Sequence, residues 1–374
     1  MTFTRFPVRR LLLAFSMAMA CSSVHAENWP AEEWTSAPAQ ASAALQSLEQ
    51  YAFPTRDDVE RKGVRTDALV VIRDGVLVYE RYAAPTTAQT SHLTWSMSKS
   101  LWATVMGVAY GQGLFRLDAP VAQYYPAFAE HPQIKMGHLL NWASGLDWQE
   151  DYEYAPLKSS VVAMLYTRGR TDMAAFTAAH KTDADAGTRF RYSSGDSNVL
   201  AAAMKQIVGE QAYADYPWTA LFEPLGITSA TWERDASGTF IASSYAYMSA
   251  RDMARIGLLM QRDGRWVDQQ LLPKAWVDFN RTPFANYVPQ VDKPNAAVPG
   301  GQWWLNRAVS ATAKPWPDVP NDVLVASGHW GQGLYVIPSK NLVVVRFADD
   351  RDGSFDRNHF LKLVQAALAT EVQP

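Results

Sequence analysis

Ser96 and Lys99 stand three residues apart at the head of an apolar run, Leu101 to Tyr110. On a helix that spacing puts both side chains on one face, one turn apart, with Ser96 at the positive end of the helix. A serine needs a proton acceptor to attack a carbonyl, and a lysine serves when burial and a helix N-terminus disfavour its charged form. The pattern S-x-x-K arises by chance about once in a chain of this composition. Its bland alternative is an ordinary helix start, with Ser96 or Ser98 as the N-cap. Only other segments decide between the two.

Two polar, glycine-containing segments offer partners. Gly187-Thr188-Arg189-Phe190-Arg191-Tyr192-Ser193-Ser194-Gly195-Asp196 precedes a helical pattern and can hold Tyr192 at a cleft, or be a turn and helix cap with an ordinary tyrosine. Ser327-Gly328-His329-Trp330-Gly331-Gln332-Gly333 leads into a strand. Glycines let backbone N–H groups approach a ligand closely, so this edge can supply one half of an oxyanion hole and the Ser96 N–H the other. The competing reading is a bulged strand start with an ordinary His329.

The elements that must position these groups are legible in outline. Ala41 to Tyr51 has helical apolar spacing, and Arg73-Asp74-Gly75 between two β-branched runs signals a hairpin. The helix beginning near Ser96 stops at Gly111-Gln112-Gly113. Helical pieces and loops follow to about residue 250, then an amphipathic helix over Arg251 to Gln261. Strands return from Leu324, with a Pro338-Ser339-Lys340-Asn341 turn, and a helix over Phe360 to Ala367 closes the chain. Residues 282 to 320 show no period and read as one long ordered loop. The pattern is α+β: a sheet completed by both ends, 27–116 and 248–374, around a mostly helical insertion at 117–247, forming one catalytic domain.

Composition bounds the function. At 374 residues, 48% hydrophobic and 19% charged, the chain is ordinary globular material. Arg5, Arg9 and Arg10, the uncharged Leu11 to Ala20 and Val24-His25-Ala26 read as a signal peptide over residues 1–26, giving an exported protein, periplasmic or secreted. Cys21, the only cysteine, offers lipid anchoring as the lesser alternative. Removing the three Arg of this segment leaves 31 basic against 37 acidic residues, net −6 instead of −3, which argues against nucleic acid as a partner. No apolar run is long enough to span a bilayer of roughly 30 Å. The remaining His residues (92, 131, 138, 180, 329 and 359) are scattered and form no H-E-x-x-H pair, so neither a metal nor a cofactor is expected. There is no G-x-S-x-G either.

Taken in order, Ser96-Met97-Ser98-Lys99, Tyr192-Ser193-Ser194 and His329-Trp330-Gly331 resemble the S-x-x-K, Y-x-N and K-T-G or H-x-G elements of the serine β-lactamase and penicillin-binding protein superfamily. His138 to Leu146, Leu221 to Ile227 and Ser249 to Arg255 are similar to stretches of its class C-like branch. Within it, Tyr192 to Asp196 and Gly328 to Gln332 look most like the 6-aminohexanoate-dimer hydrolase group.

The resemblance implies a β-lactamase-like fold, an antiparallel sheet flanked by helices, and an acyl-enzyme on Ser96 formed from a small amide or ester. It implies that Lys99 and Tyr192 share the proton work, that the N–H groups of Ser96 and Gln332 form the oxyanion hole, and that Ser194, His329, Trp330 and Gly331 meet substrate. Ser194 stands where the family has Asn, and His329 where many members have Lys. Both departures point away from a dedicated penicillin-destroying enzyme. A D-peptidase, a weak β-lactamase and a catalytically silent binding protein of the same fold are the rivals.

Two proton schemes remain open. For Tyr192 to act as an anion near neutral pH its pKa must fall from about 10 by roughly three units, worth about 4 kcal/mol. One ammonium at about 4 Å supplies that much at an effective dielectric of about 20. Alternatively a neutral Lys99 is the base and Tyr192 relays the proton. For substrate, Trp142, Trp148, Tyr152, Tyr154, Trp303, Trp304 and Trp330 are the candidate aromatic wall, with Trp330 the foremost. Asp147, Glu150, Asp151 and Glu153 either attract an amine-bearing substrate or form a solvated loop.

Overall fold

The computed structural model describes residues 1–2, 27–289, 296–309 and 313–369; the signal peptide expected over 1–26 lies, but for its first two residues, outside the described residues. Helix α1 (Ala43–Ala52) starts at Ser42, whose side chain accepts from the Leu45 N–H. The expected hairpin follows as β1 (Thr66–Arg73) and β2 (Val76–Tyr82), and Asp74 and Gly75 both take positive φ at its turn. A two-residue strand, β3 (His92–Leu93), leads into helix α2 (Met97–Gly111). Gly113, at φ 73°, ends that helix as its sequence signals.

The helical insertion contains α3 (Met136–Leu140), α4 (Ser160–Tyr166), α5 (Met173–Ala178), α6 (Ser194–Val208) and α7 (Glu210–Tyr213). Short strands β4 (Thr231–Trp232) and β5 (Ala246–Met248) then form a small sheet with β3, in which β5 is the central strand. Helix α8 (Ala250–Gln261) is followed by the two-residue pair β6 (Arg265–Trp266) and β7 (Gln269–Gln270) and by α9 (Lys274–Asn280). Strands β8 (Val298–Gly300), β9 (Trp303–Leu305), β10 (Leu324–Gly328), β11 (Gln332–Ile337) and β12 (Leu342–Ala348) and helix α10 (Arg357–Ala367) complete the chain.

The main sheet is seven-stranded and antiparallel, in the order β2-β1-β12-β11-β10-β9-β8. Val70 of β1 lies opposite Val345 of β12, which is how the two ends of the chain meet. Alternate residues enter two separate cores: Val70, Ile72, Leu334 and Val345 pack on the α2 and α8 side, while Leu69, Val71, Tyr335 and Val344 pack on the α1 and α10 side. A sheet covered on both faces explains why its strands read as unbroken apolar runs. The stretch read as one loop over 282–320 contributes β8 and β9 to the sheet edge. Each has only three residues, and β8 contains Pro299 and Gly300, too little for a period of two to show.

All but Tyr110 and Gly111 of α2 are buried. A helix apolar on every side needs contacts on every side, and α2 has them from α6, α9 and β10. The Ser98 hydroxyl and Thr94 fix its start by hydrogen bonds to each other and to the backbone of Ala246 in β5.

Candidate active site

Ser96 sits at the N-cap position of α2, yet its hydroxyl makes no capping hydrogen bond. Its Oγ lies 3.0 Å from Lys99 Nζ, so the bland reading of this serine fails on geometry. Lys99 is 1% exposed and its Nζ also donates to the Ser243 carbonyl at 2.9 Å. That carbonyl is held in turn by Asn198 of α6, whose Oδ1 accepts the Ser243 N–H at 3.0 Å. Burial lowers the Lys99 pKa to about 8, opposed by the negative charge of Glu150. The shift brings the neutral amine within reach near neutral pH.

Tyr192 comes from the loop before α6, whose first turn is capped by Ser193. Its ring packs against Trp142 at 4.8 Å and Trp304 at 5.4 Å between centroids, and it lines the same cavity as Ser96. The Lys99 Nζ stands over the ring, 4.9 Å from its centroid. Burial, reinforced by the Glu150 charge, drives the Tyr192 pKa upward. Of the two proton schemes the sequence leaves open, this arrangement favours a neutral Lys99 and a protonated Tyr192.

Ser96 and Tyr192 line a cavity of about 900 Å³ together with Trp95, Trp148, Glu150, Tyr152, Phe190, Tyr287, Trp304, Ser327, Gly328 and His329. The end of β10 is pressed onto the chain just before Ser96: a Cβ at Gly328 would lie 2.3 Å from the Thr94 carbonyl oxygen. His329 Nε2 faces the Glu153 carboxylate at 3.3 Å, and burial lowers its pKa.

The rest of the third segment departs from the expected arrangement. His329–Gly331 is a tight reversal between β10 and β11, with Trp330 at φ 57° and Gly331 at φ 88°. The reversal sends Trp330 and Gln332 to a second, smaller cavity of about 290 Å³. Trp330 lies there under the Arg351 guanidinium, 3.6 Å from its centre, and so is not the substrate-facing aromatic. Gly331 sits against a buried ion pair, where a Cβ would come within 2.0 Å of Asp350 Oδ2; that close approach is why a glycine stands here, rather than contact with substrate. Gln332 is wholly buried and its side-chain amide bonds the Ala348 backbone, so it does not line the Ser96 cavity.

Among the other expected aromatics, Trp148, Tyr152 and Trp304 line the cavity, Trp142 and Trp303 are core, and Tyr154 is 93% exposed. Ser194 is buried and donates both its N–H, at 2.9 Å, and its hydroxyl, at 2.5 Å, to Glu150. Sequence reasoning placed Glu150 in an undivided acidic cluster and found neither Asn198 nor the Ser243 carbonyl. The cluster divides: Asp147 pairs with Arg191, Asp151 caps the backbone of Glu153 and Tyr154, and Glu150 alone lines the cavity. Among the described residues no cluster of His, Cys, Asp and Glu could hold a metal ion.

A half-buried serine and a buried lysine at the head of a central helix, a tyrosine from a second helix start and a strand end beside them define a serine hydrolase of β-lactamase-like fold. The chain belongs to the β-lactamase family, whose pattern matches residues 54–368. It is 26% identical over 300 residues to the 6-aminohexanoate-dimer hydrolase of Paenarthrobacter ureafaciens, covering 76% of this chain and 72% of that protein. In fold it is similar to EstCE1, a hydrolase with promiscuous acyltransferase activity, at a TM-score of 0.65 and 16% identity over 87% of this chain and 98% of that one. It is also similar to a penicillin-binding protein homologue from Caulobacter crescentus, at a TM-score of 0.68 and 14% identity over 87% and 97% of the two chains.

Proposed function

We propose that the protein is an exported hydrolase of small amides or esters that works through an acyl-enzyme on Ser96, in the manner of the 6-aminohexanoate-dimer hydrolases and related esterases. The observation that carries this reading is the 3.0 Å approach of Ser96 Oγ to a lysine whose charged form is disfavoured by burial. The neutral Lys99 amine takes the Ser96 proton as Oγ attacks the carbonyl. The tetrahedral oxyanion is met by the N–H groups of Ser96 and His329, since Ser327–His329, and not Gln332, is the segment beside Ser96. Tyr192 passes a proton to the departing amine or alcohol and is restored from Lys99. Water then cleaves the acyl-enzyme by the same groups in reverse.

The test is a panel of p-nitrophenyl esters, short linear amides and a chromogenic cephalosporin, run on wild type and Ser96→Ala together, with a fluorophosphonate label mapped by mass spectrometry. Wild type turns over esters or amides and is labelled at Ser96; the variant loses at least about 10³-fold in kcat with unchanged circular dichroism. Turnover of the cephalosporin alone would support the β-lactamase rival. Failure of the label to reach Ser96, with no turnover, would revive the silent binding protein.

A further inference from the structure

A third cavity, of about 880 Å³, lies at the far end of the main sheet, and every residue lining it is polar. Strand β11 runs from Gln332, at the Ser96 end, to Ile337, at this end. Here the β1–β2 turn at Asp74, the β11–β12 turn at Asn341, the end of α8 and the start of α9 converge, and the Asp74 N–H donates to the Asn341 carbonyl at 2.9 Å. The cavity shares no lining residue with the one that holds Ser96.

The cationic side chains in and beside it have acidic partners, save one. Arg265 pairs with Glu27, Lys274 with Asp278 at 2.6 Å, Arg281 with Asp263 at 2.5 Å and Arg73 with Asp74 at 3.7 Å. Arg262, the C-cap of α8, has none: its Nη1 is buried without a hydrogen-bond partner, and among the described residues no carboxylate stands within ion-pair distance. Its guanidinium lies 3.9 Å from the centre of the Trp29 ring, which holds it in place without neutralising it. The adjoining Gln261 Nε2 is also buried without an acceptor. Gly75 lets the hairpin turn seat against the guanidinium, since a Cβ there would come within 2.7 Å of Arg262 Nη2. Burial disfavours the charge of Arg262, a cost that a bound anion offsets.

What is left over is one planar fork of donors, one amide and one positive charge. A carboxylate matches that set, because it carries a single charge and its two oxygens accept from a guanidinium edge and a neighbouring amide. A phosphate dianion would bring a second charge beside Glu27, Asp74 and Asp263 with nothing left to neutralise it. The polar lining adds a second requirement: an apolar body would bury no apolar surface against it, whereas hydroxyl groups find donors and acceptors on every wall.

We propose that Arg262 and Gln261 form a binding site for a small hydroxylated carboxylate of the sugar-acid type, separate from the Ser96 site and independent of the reaction there. The competing role is structural, with Arg262 only clamping Trp29 to the end of α8.

The experiment titrates the purified protein with D-gluconate by calorimetry at fixed ionic strength, beside hexanoate, sorbitol and inorganic phosphate. Gluconate should bind and, at ten times its Kd, raise the thermal midpoint by at least about 1 °C. Hexanoate lacks the hydroxyls and sorbitol the carboxylate, and both, like phosphate, should bind at least about 10-fold more weakly. Arg262→Met should weaken gluconate at least about 10-fold and Gln261→Leu about 3-fold, while Ser96→Ala binds it as wild type does. A wild type that binds no gluconate, or binds hexanoate or phosphate as tightly, overturns the site and needs no variant to fold. An Arg262→Met that loses thermal stability yet keeps wild-type affinity assigns the structural role instead. Gluconate that blocks fluorophosphonate labelling of Ser96 would place it in the other cavity and overturn the site as well.

Discussion

The two cavities that meet at Trp95 share a wall but use charge in opposite ways. In the smaller one every charged partner is matched: Asp67 accepts from Arg56 at 2.8 Å and His92 at 3.1 Å, and the neighbouring Arg346 pairs with Asp350 at 2.6 Å. The larger one also has paired charges, Arg189 and Arg191 with Asp183, but Glu150 on its wall and Lys99 beside Ser96 are held by neutral groups, and burial displaces the pKa of Lys99 down and that of Tyr192 up. Pairing makes a charge structural, whereas a charge kept from an opposite partner can exchange a proton or take a ligand.

The largest break in that contrast comes from Lys99→Met. It removes the base from the larger cavity, so kcat should fall roughly 10³-fold, while relief of a buried amine leaves the thermal midpoint unchanged or higher; steady-state kinetics and calorimetry check both. Next is pH. Because Lys99 must be neutral to act, kcat/KM for an uncharged ester should rise about tenfold per unit and level off near pH 8. Tyr192→Phe should lower the whole profile by about 10² without moving the bend; a bend that vanishes with the hydroxyl would assign the base to tyrosinate instead.

In the smaller cavity the signs reverse. Gln332→Ala breaks the buried bonds to Ala348 and should cost about 1–3 kcal/mol in urea unfolding, with kcat/KM changed less than about tenfold. Kinetic collapse at full stability would return the oxyanion role to Gln332. A last test, of stability alone, concerns Asp196, buried in the first turn of α6 with its Oδ2 unpartnered. Burial raises its pKa from 3.8 to about 7, so between those values the folded state binds more protons than the unfolded chain. Stability contributed by this carboxyl is full below about pH 4 and declines as pH rises to 7, by at most about 1.4 kcal/mol per unit. Asp196→Asn should flatten that decline, measured as the difference in urea midpoints at pH 5 and pH 8.

What the sequence discloses depends on how local each feature is. The Asp74-Gly75 hairpin, helix α2 and the strands from Leu324 follow from short-range periodicity and turn chemistry, and the spacing of Ser96 and Lys99 is itself a helical turn. The division of His329 from Trp330 and Gln332 is not legible in the same way. Three residues that read as one motif are sent to different cavities by a reversal that places a tryptophan, of all residues, in a left-handed conformation. Glu150 is separated from Ser194 by 44 positions, and nothing in an acidic loop says which carboxylate turns inward. The Ser243 carbonyl that holds Lys99 is a backbone atom, and any residue type would supply it.

The burial of α2 on every side carries a consequence for exchange and exposure to reagents. Amide hydrogens in the body of α2, from Leu101 to Ala109, should be among the slowest in the molecule to exchange with deuterium, because those residues are buried between sheet and helices. On the proposed mechanism, accommodation of differently shaped substrates then falls to the loops carrying Glu150 and Tyr287, while Ser96 and Lys99 keep one fixed geometry.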